Sequence, residues 1–163
     1  MYDPASALHG TEAVFAAHAD VPAVVALKDL ATDAKFDRGE LTITVTRENV
    51  IAAAQTVKDA GYNFLEDVNA VDWYPSEPRF QVNYSILSHA LKTRVRLTVR
   101  LDSTDAAVDS MTGVWPGANF YEREIFDLMG IHFGGHPNLT RIMMPTDWQG
   151  HPLRKDYPVE GYR

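Results

Sequence analysis

From Asn119 to Pro158 the sequence reads NFYEREIFDLMGIHFGGHPNLTRIMMPTDWQGHPLRKDYP, and no other stretch restricts the fold as much. Its spacing predicts one capped helix followed by a long tail punctuated by Gly and Pro. Asn119 fits the N-cap and Glu122 stands three residues on, so the two side chains can satisfy orphan amides of the first turn reciprocally. Tyr121, Ile125, Leu128 and Met129 recur at helical spacing and form an apolar face. Gly130 is placed to close the helix in a left-handed conformation. On the opposite face Arg123 and Asp127 stand four apart and can pair, for ~0.3 kcal/mol. Glu122 and Glu124 flank the apolar face, where a covered carboxylate needs a partner.

The tail sets a second constraint. Between Gly130 and Arg163 five glycines and four prolines fall within 34 residues, too many for regular structure to persist. Yet the segment also carries Ile131, Phe133, Leu139, Ile142, Met143, Met144, Trp148, Leu153 and Tyr157. A free tail holding so many large apolar side chains invites association. Part of it must cover the domain's own core. The rest are candidates for burial against another subunit, with Trp148 and the nearby arginines as anchors. The chain therefore divides into residues 1–129, a domain that ends in the helix, and residues 130–163, a tail that packs on the domain and on partners.

Upstream, residues 5–19 are Ala-rich, with Leu8, Val14 and Phe15 at helical spacing interrupted by Gly10. The run from Pro22 to Leu27 is short and apolar, and its type stays open. Leu41, Ile43 and Val45 alternate with threonines, as in a half-buried strand. A helix capped by Thr46 follows to about Ala60, with Val50, Ile51, Ala54 and Val57 as its buried stripe and Gly61 as its stop. Three strands are expected next: from Phe64 to Trp73, along Phe80, Val82, Tyr84 and Ile86, and along Val95, Leu97, Val99 and Leu101. Short connections favour antiparallel hairpins. Asp105 to Met111 reads as a short helix. The order gives an α+β fold, a mostly antiparallel sheet with helices packed on one face. Arg94, Arg96 and Arg100 lie on the other face, either paired with acids such as Glu66, Asp67 or Asp72, or on a solvated face, or as a basic patch for an acidic partner.

Composition narrows the function. A net charge of −7 and a pI near 5.2 argue against nucleic acid or an anionic membrane as main partner. Residues 1–118 carry a charge of −6 and residues 119–163 only −1, so the tail is nearly neutral, as a buried interface segment would be. Zero cysteines exclude disulfides, catalytic thiols and thiolate ligation of iron–sulfur clusters or zinc by this chain. No apolar run approaches the ~20 residues of a membrane span. With no secretory signal in the first residues, a soluble cytoplasmic chain is expected.

The chemical motifs are few. His132, His136 and His151 fall near Asp147 and Asp156, but Gly134 and Gly135 break any helix that would align two histidines on a metal. Histidines bonded to loop backbone are the alternative. Glu122, Glu124 and Asp127 form either an acid/base set or anchors for arginines and backbone amides. Arg141, Arg154, Lys155, Asp156 and Tyr157 fit a salt-bridge lock as well as a ligand site. The G-x-S-x-G, Walker A and G-x-G-x-x-G patterns are absent. On chemistry alone the chain reads as a binding module.

From Glu122 through Pro158 the fixed spacing resembles the signature of the 30 kDa-type subunit (the C subunit) of respiratory NADH:quinone oxidoreductase, bacterial complex I. Thr140 stands where that family usually has a second basic residue, and Met129 where Phe is common. The resemblance implies a non-catalytic scaffold component of the hydrophilic arm of this proton-translocating enzyme. It implies FMN, iron–sulfur clusters and quinone bound by partner subunits and no cofactor or metal on this chain. The quinone-side D subunit would be the chief neighbour, with the B and I subunits nearby, on the cytoplasmic side of the membrane. Glu122, Arg123, Glu124, Asp127, His136, Arg141, Asp147, Trp148, Arg154, Lys155 and Asp156 carry over as structural or interface positions. Two alternatives remain: the equivalent subunit of a membrane-bound hydrogenase-type complex, and a free-standing metal-dependent hydrolase using His132, His136 and Asp147.

Overall fold

Strict alternation of large apolar residues commits two neighbouring segments to the centre of the sheet. In β5 (Phe80–Ser88) and β6 (Thr93–Leu101) the residues Phe80, Val82, Tyr84, Ile86, Val95, Leu97, Val99 and Leu101 are all buried on one side. Side chains two apart share a face, so one antiparallel register, with Tyr84 opposite Leu97, buries both sets together. In this computed structural model, which describes residues 7–161, β4 (Phe64–Asp72) pairs antiparallel outside β5, and β3 (Glu40–Val45) pairs parallel with β6. β2 (Ala31–Asp37) and the short β1 (Leu8–His9) complete a six-stranded sheet of order β1-β2-β3-β6-β5-β4. The fold is α+β with a mostly antiparallel sheet, as the pattern indicates.

Helices cover the apolar side. α1 (Thr11–Ala17) and α2 (Pro22–Leu27) precede β2, and α3 (Val50–Asp59) crosses from β3 to β4. α3 buries Val50, Ala53, Ala54 and Val57, small residues that let it lie close to the sheet. Burying each Val, Leu or Ile of this core supplies roughly 1.5–3 kcal/mol. The other side of the sheet is polar: Asn69, Asn83 and Thr98 bond in a row across β4, β5 and β6. Arg96 pairs with Glu40 at 2.6 Å, Arg94 approaches Glu66 at 3.7 Å, and Arg100 donates to Gln81 and to the Pro78 carbonyl.

Several expectations shift. Leu8 sits in a strand, because Gly10 at φ 86 breaks the chain before α1 starts. Pro22 to Leu27 is helical, with Pro22 in the first turn, where its missing N–H costs nothing. β2 escapes the sequence pattern because only Ala34 of its residues is buried, and its pairing with β3 makes it a strand. Thr46 leads into a 3₁₀ turn (Arg47–Asn49) before α3, and its side chain makes no cap bond. The expected helix at Asp105–Met111 is instead β7 (Ala107–Asp109), followed by a 3₁₀ turn (Met111–Gly113).

α4 (Ala118–Met129) is the helix of the long C-terminal stretch. Its N-cap is Gly117, without a side-chain cap bond, so Asn119 lies inside the helix and the Asn119–Glu122 capping box does not form. Gly130 closes α4 at φ 71, its amide bonding Phe126 O at 3.0 Å. The chain then enters β8 (His132–Gly134), parallel to β7, and buries Ile131 and Phe133 in the core. A Cβ on Gly130 would lie 2.5 Å from the His151 ring and 2.7 Å from Arg154 Nη2. Gly135 has a similar φ of 74 but nothing within 4 Å. Gly130→Ala is therefore expected to cost at least ~1 kcal/mol more than Gly135→Ala in thermal denaturation of the chain. Equal losses would contradict this packing account.

Candidate functional site

Asp127 occupies the last turn of α4, fully buried. An acid there faces the negative end of the helix dipole, so it needs strong donors, and the tail delivers them. Arg141 Nη1 reaches Asp127 Oδ1 at 2.6 Å, while the amides of Ile142, Met143 and Met144 donate to Oδ2 at 3.0, 2.7 and 2.9 Å. Burial alone would raise this carboxyl's pKa, but the three amides and Arg141 outweigh it and hold it below its ordinary value. The expected Arg123–Asp127 pair does not form, because Arg123 turns to the Thr140 carbonyl and hydroxyl at 3.1 and 3.0 Å.

The rest of the tail is stitched to the end of α4 and to the sheet. Arg141 Nη2 donates to Gly150 O at 3.1 Å, His151 Nδ1 lies 2.9 Å from Asp127 O, and Arg154 Nε donates to Met129 O at 2.7 Å. Burial pushes the His151 imidazole below its ordinary value. Arg154 also lies over the Phe80 ring. Farther along, Asp72 at the end of β4 accepts two bonds from Arg79 at 2.9 and 2.8 Å and one from the Lys155 amide at 2.9 Å. Arg79 in turn donates to both oxygens of Asp156 at 2.9 and 2.6 Å. Burial opposes ionisation of Asp72, yet Arg79 and the Lys155 and Tyr74 amides bring its pKa to about 2.

Glu122 is fully buried in the middle of α4. Ser110 Oγ donates to its Oε2 at 2.5 Å and the Met111 amide to Oε1 at 2.6 Å, which ties the 3₁₀ turn to the helix. Burial still prevails and pushes the carboxyl up to about 6. His136 Nε2 lies 4.0 Å away, its ring bonded to Asn119 O and to the Asn138 amide. These two partners assign the proton to Nε2 and leave Nδ1 as acceptor.

The remaining positions of the stretch face outward. Glu124, His132 and Asp147 are exposed, and the described residues contain no gathering of three or more His, Cys, Asp or Glu side chains able to hold a metal. His132, His136 and Asp147 are not brought together in such a group. With its underside anchored, the tail presents Ile142, Met143, Trp148 and Leu153 to solvent, Met143 at 61% and Leu153 at 58% exposure. The arrangement fixes a shaped surface. Sequence reasoning missed Ser110 and Arg79, and it read Asp72 only as a partner for strand arginines. Asp72 falls in phase with Val68 and Ala70 of β4, which signals an inward carboxylate.

Residues 43–163 match the family described as the 30 Kd subunit of respiratory-chain NADH dehydrogenase. The chain belongs to that family. It is 46% identical over 85% of its length to the NADH-quinone oxidoreductase C subunit of Citrifermentans bemidjiense, covering 89% of that protein. It is 45% identical to the corresponding C subunit of Geobacter sulfurreducens over 85% of this chain and 90% of the relative. Among solved structures, a trypsin-resistant fragment of Nqo5 aligns with a TM-score of 0.59 and 34% identity, over 62% of this chain and 83% of the fragment. A chain of an archaeal membrane-bound sulfane sulfur reductase shares the fold, with a TM-score of 0.67 at 23% identity over 83% of this chain and 82% of that one. The family match takes in the whole stretch that here builds the Asp127 anchor.

The buried acids give a pH signature. Glu122 binds its proton more tightly folded than unfolded, so its contribution is complete below the unfolded value of ~4.3 and disappears as pH rises through about 6. Asp72 acts in the opposite sense: its contribution is complete above its unfolded value of ~3.9 and is lost as pH falls toward about 2. Subtracting the stability–pH curve of Glu122→Gln from that of the parent chain should leave a fall of ~2 kcal/mol between about pH 4 and 6. The acid limb should be the same in both. A flat difference curve would contradict the burial of an ionisable Glu122.

Proposed function

We propose that the chain is a non-catalytic scaffold component in the hydrophilic arm of a proton-translocating NADH:quinone oxidoreductase, complex I. In this reading it holds electron-transfer subunits in register near the quinone site. The observation that carries it is the two-sided tail: charged groups bind its underside to α4 and the sheet, while Ile142, Met143, Trp148 and Leu153 face outward. Apolar surface fixed in place by intramolecular bonds costs little ordering on assembly. The quinone-side D subunit is the chief partner in this proposal, with the B and I subunits nearby. FMN, clusters and quinone belong to those and other partners, in line with a chain that has no cysteine thiolates to offer. Attachment to the cytoplasmic side of the membrane runs through the partners, and no helix among the described residues is long and apolar enough to cross a membrane.

A second reading draws on the fold shared with the sulfane sulfur reductase chain. The same module would then serve a membrane-bound complex with another electron donor, such as a hydrogenase-type complex. The 45–46% identity to C subunits of NADH-quinone oxidoreductase favours the first reading.

Purification of the tagged chain from gently solubilised native membranes, with partners identified by mass, tests both. Co-purification with NADH-binding and cluster-bearing subunits is expected, and recovery with a nickel hydrogenase subunit would select the second reading. The double variant Trp148→Asp/Leu153→Asp should lower incorporation by about tenfold or more while leaving the Tm of the isolated chain unchanged. Recovery of the parent chain alone, or full incorporation of the variant, would overturn the scaffold reading.

A further inference from the structure

The connection between β4 and β5, residues 73–79, turns two adjacent aromatic side chains to solvent: Trp73 is 45% exposed and Tyr74 47%. The loop that carries them is nevertheless fixed. Its backbone closes on itself, Trp73 N donating to Arg79 O at 2.8 Å and Ser76 N to Trp73 O at 2.9 Å. Glu77 accepts from the Arg79 and Ser103 amides at 2.8 and 3.1 Å, and Arg100 donates to Pro78 O at 2.6 Å. The rings are held as well. Trp73 Nε1 donates to Gln81 Oε1 at 3.1 Å, with the Arg100 guanidinium 5.5 Å from the ring centre. The Arg79 guanidinium lies 4.9 Å from the centre of the Tyr74 ring.

The groups that fix this loop are the ones that fix the end of the tail. Asp72 accepts the Tyr74 amide on Oδ1 and the Lys155 amide on Oδ2, both at 2.9 Å. Arg79 stacks on Tyr74 and bonds both oxygens of Asp156. The next residue, Tyr157, donates its hydroxyl to Gln149 O at 3.3 Å, beside Trp148. A series of direct contacts therefore leads from Tyr74 to the outward face of the tail. Loop and tail form one continuous surface, with Trp73 and Tyr74 at one end and Trp148 at the other.

Trp and Tyr are the residue types that most often anchor protein interfaces. Here their ordering is already met within the chain, so burying them against a neighbour loses little conformational freedom. The two arginines beside the rings are engaged, Glu77 and Asp156 flank them, and the chain carries −7 overall, which repels an anionic lipid surface. A protein pocket fits the surface better. We infer that Trp73 and Tyr74 are anchors of the same interface as the tail, seated in an apolar pocket of the neighbouring chain that covers Trp148. The phenol brings an O–H donor, so the pocket presents a carbonyl or carboxylate oxygen to Tyr74. The inference rests on the scaffold reading and deepens it, because it extends the tail interface onto the sheet.

The test uses the assembled complex. A photo-reactive side chain is placed at Ser76, exposed in the loop, and, in a separate preparation, at Gln149 beside Trp148 in the tail. Both cross-links are expected to reach the same neighbouring chain. The double variant Trp73→Ser/Tyr74→Ser should lower incorporation into the complex by about tenfold. Phe64→Ser removes an aromatic that is also 47% exposed, at the opposite end of β4, and should leave incorporation unchanged. A Ser76 cross-link to a different subunit, to a second copy of this chain, to phospholipid or to nothing, while the tail cross-link persists, would overturn the inference. So would full incorporation of the double variant, or an equal loss with Phe64→Ser. The cross-links are read on the parent side chains at 73 and 74, so they decide the matter even where the double variant loses stability. Loss of the tail cross-link in the parent complex would instead overturn the scaffold reading.

Discussion

The structure depends on how a buried carboxylate at the wrong end of a helix is satisfied. Asp127 adds negative charge where the α4 carbonyls already point, an arrangement unfavourable without donors. Breaking such a buried charge away from its partners costs ~3–5 kcal/mol. Arg141 and three consecutive amides meet the carboxylate, and His151 and Arg154 reach the neighbouring carbonyls. An irregular segment rich in Gly and Pro thereby acquires a fixed course without secondary structure. The charge on the helix replaces the ladder of bonds that the tail lacks.

A second carboxylate, Asp72, repeats the solution at the sheet. Its bonds from Arg79 and the Lys155 amide, with Asp156 on the far side of Arg79, hold the end of the tail at the β4–β5 connection. Between the two anchors Arg141, His151 and Arg154 turn inward, while Ile142, Met143, Trp148 and Leu153 face outward beside the exposed Thr146, Asp147 and Gln149. The functional reading follows from that division. Asp127, Asp72, Arg79, Arg141 and Arg154 are engaged in bonds within the chain.

Much of this is legible in the sequence. Alternation in Leu41–Val45, Phe80–Ile86 and Val95–Leu101 marks strands because both their neighbours and their faces are regular. Apolar residues in the tail signal burial, and Ile131 and Phe133 are indeed in the core. The placement of Gly130 at the helix end holds because its φ of 71 requires it. What fails depends on tertiary partners. β2 lacks an apolar pattern and is defined by β3, and the expected helix at Asp105–Met111 yields to pairing between β7 and β8. Asn119 and Glu122 have capping-box spacing, but the helix starts earlier and Glu122 turns inward to Ser110 and Met111. Local spacing cannot reveal which of two partners a carboxylate will choose.

The central claim is that the tail is shaped by its own domain before any neighbour arrives. Amide hydrogen exchange of the isolated chain tests this most directly, read at Ile142, Met143 and Met144, whose amides bond Asp127. The account predicts protection at these three comparable to that inside α4, and its loss in Asp127→Ala with the sheet still protected. Exchange at unfolded rates in the isolated chain, with protection only in the complex, would contradict it and make the tail a segment that folds on its partner.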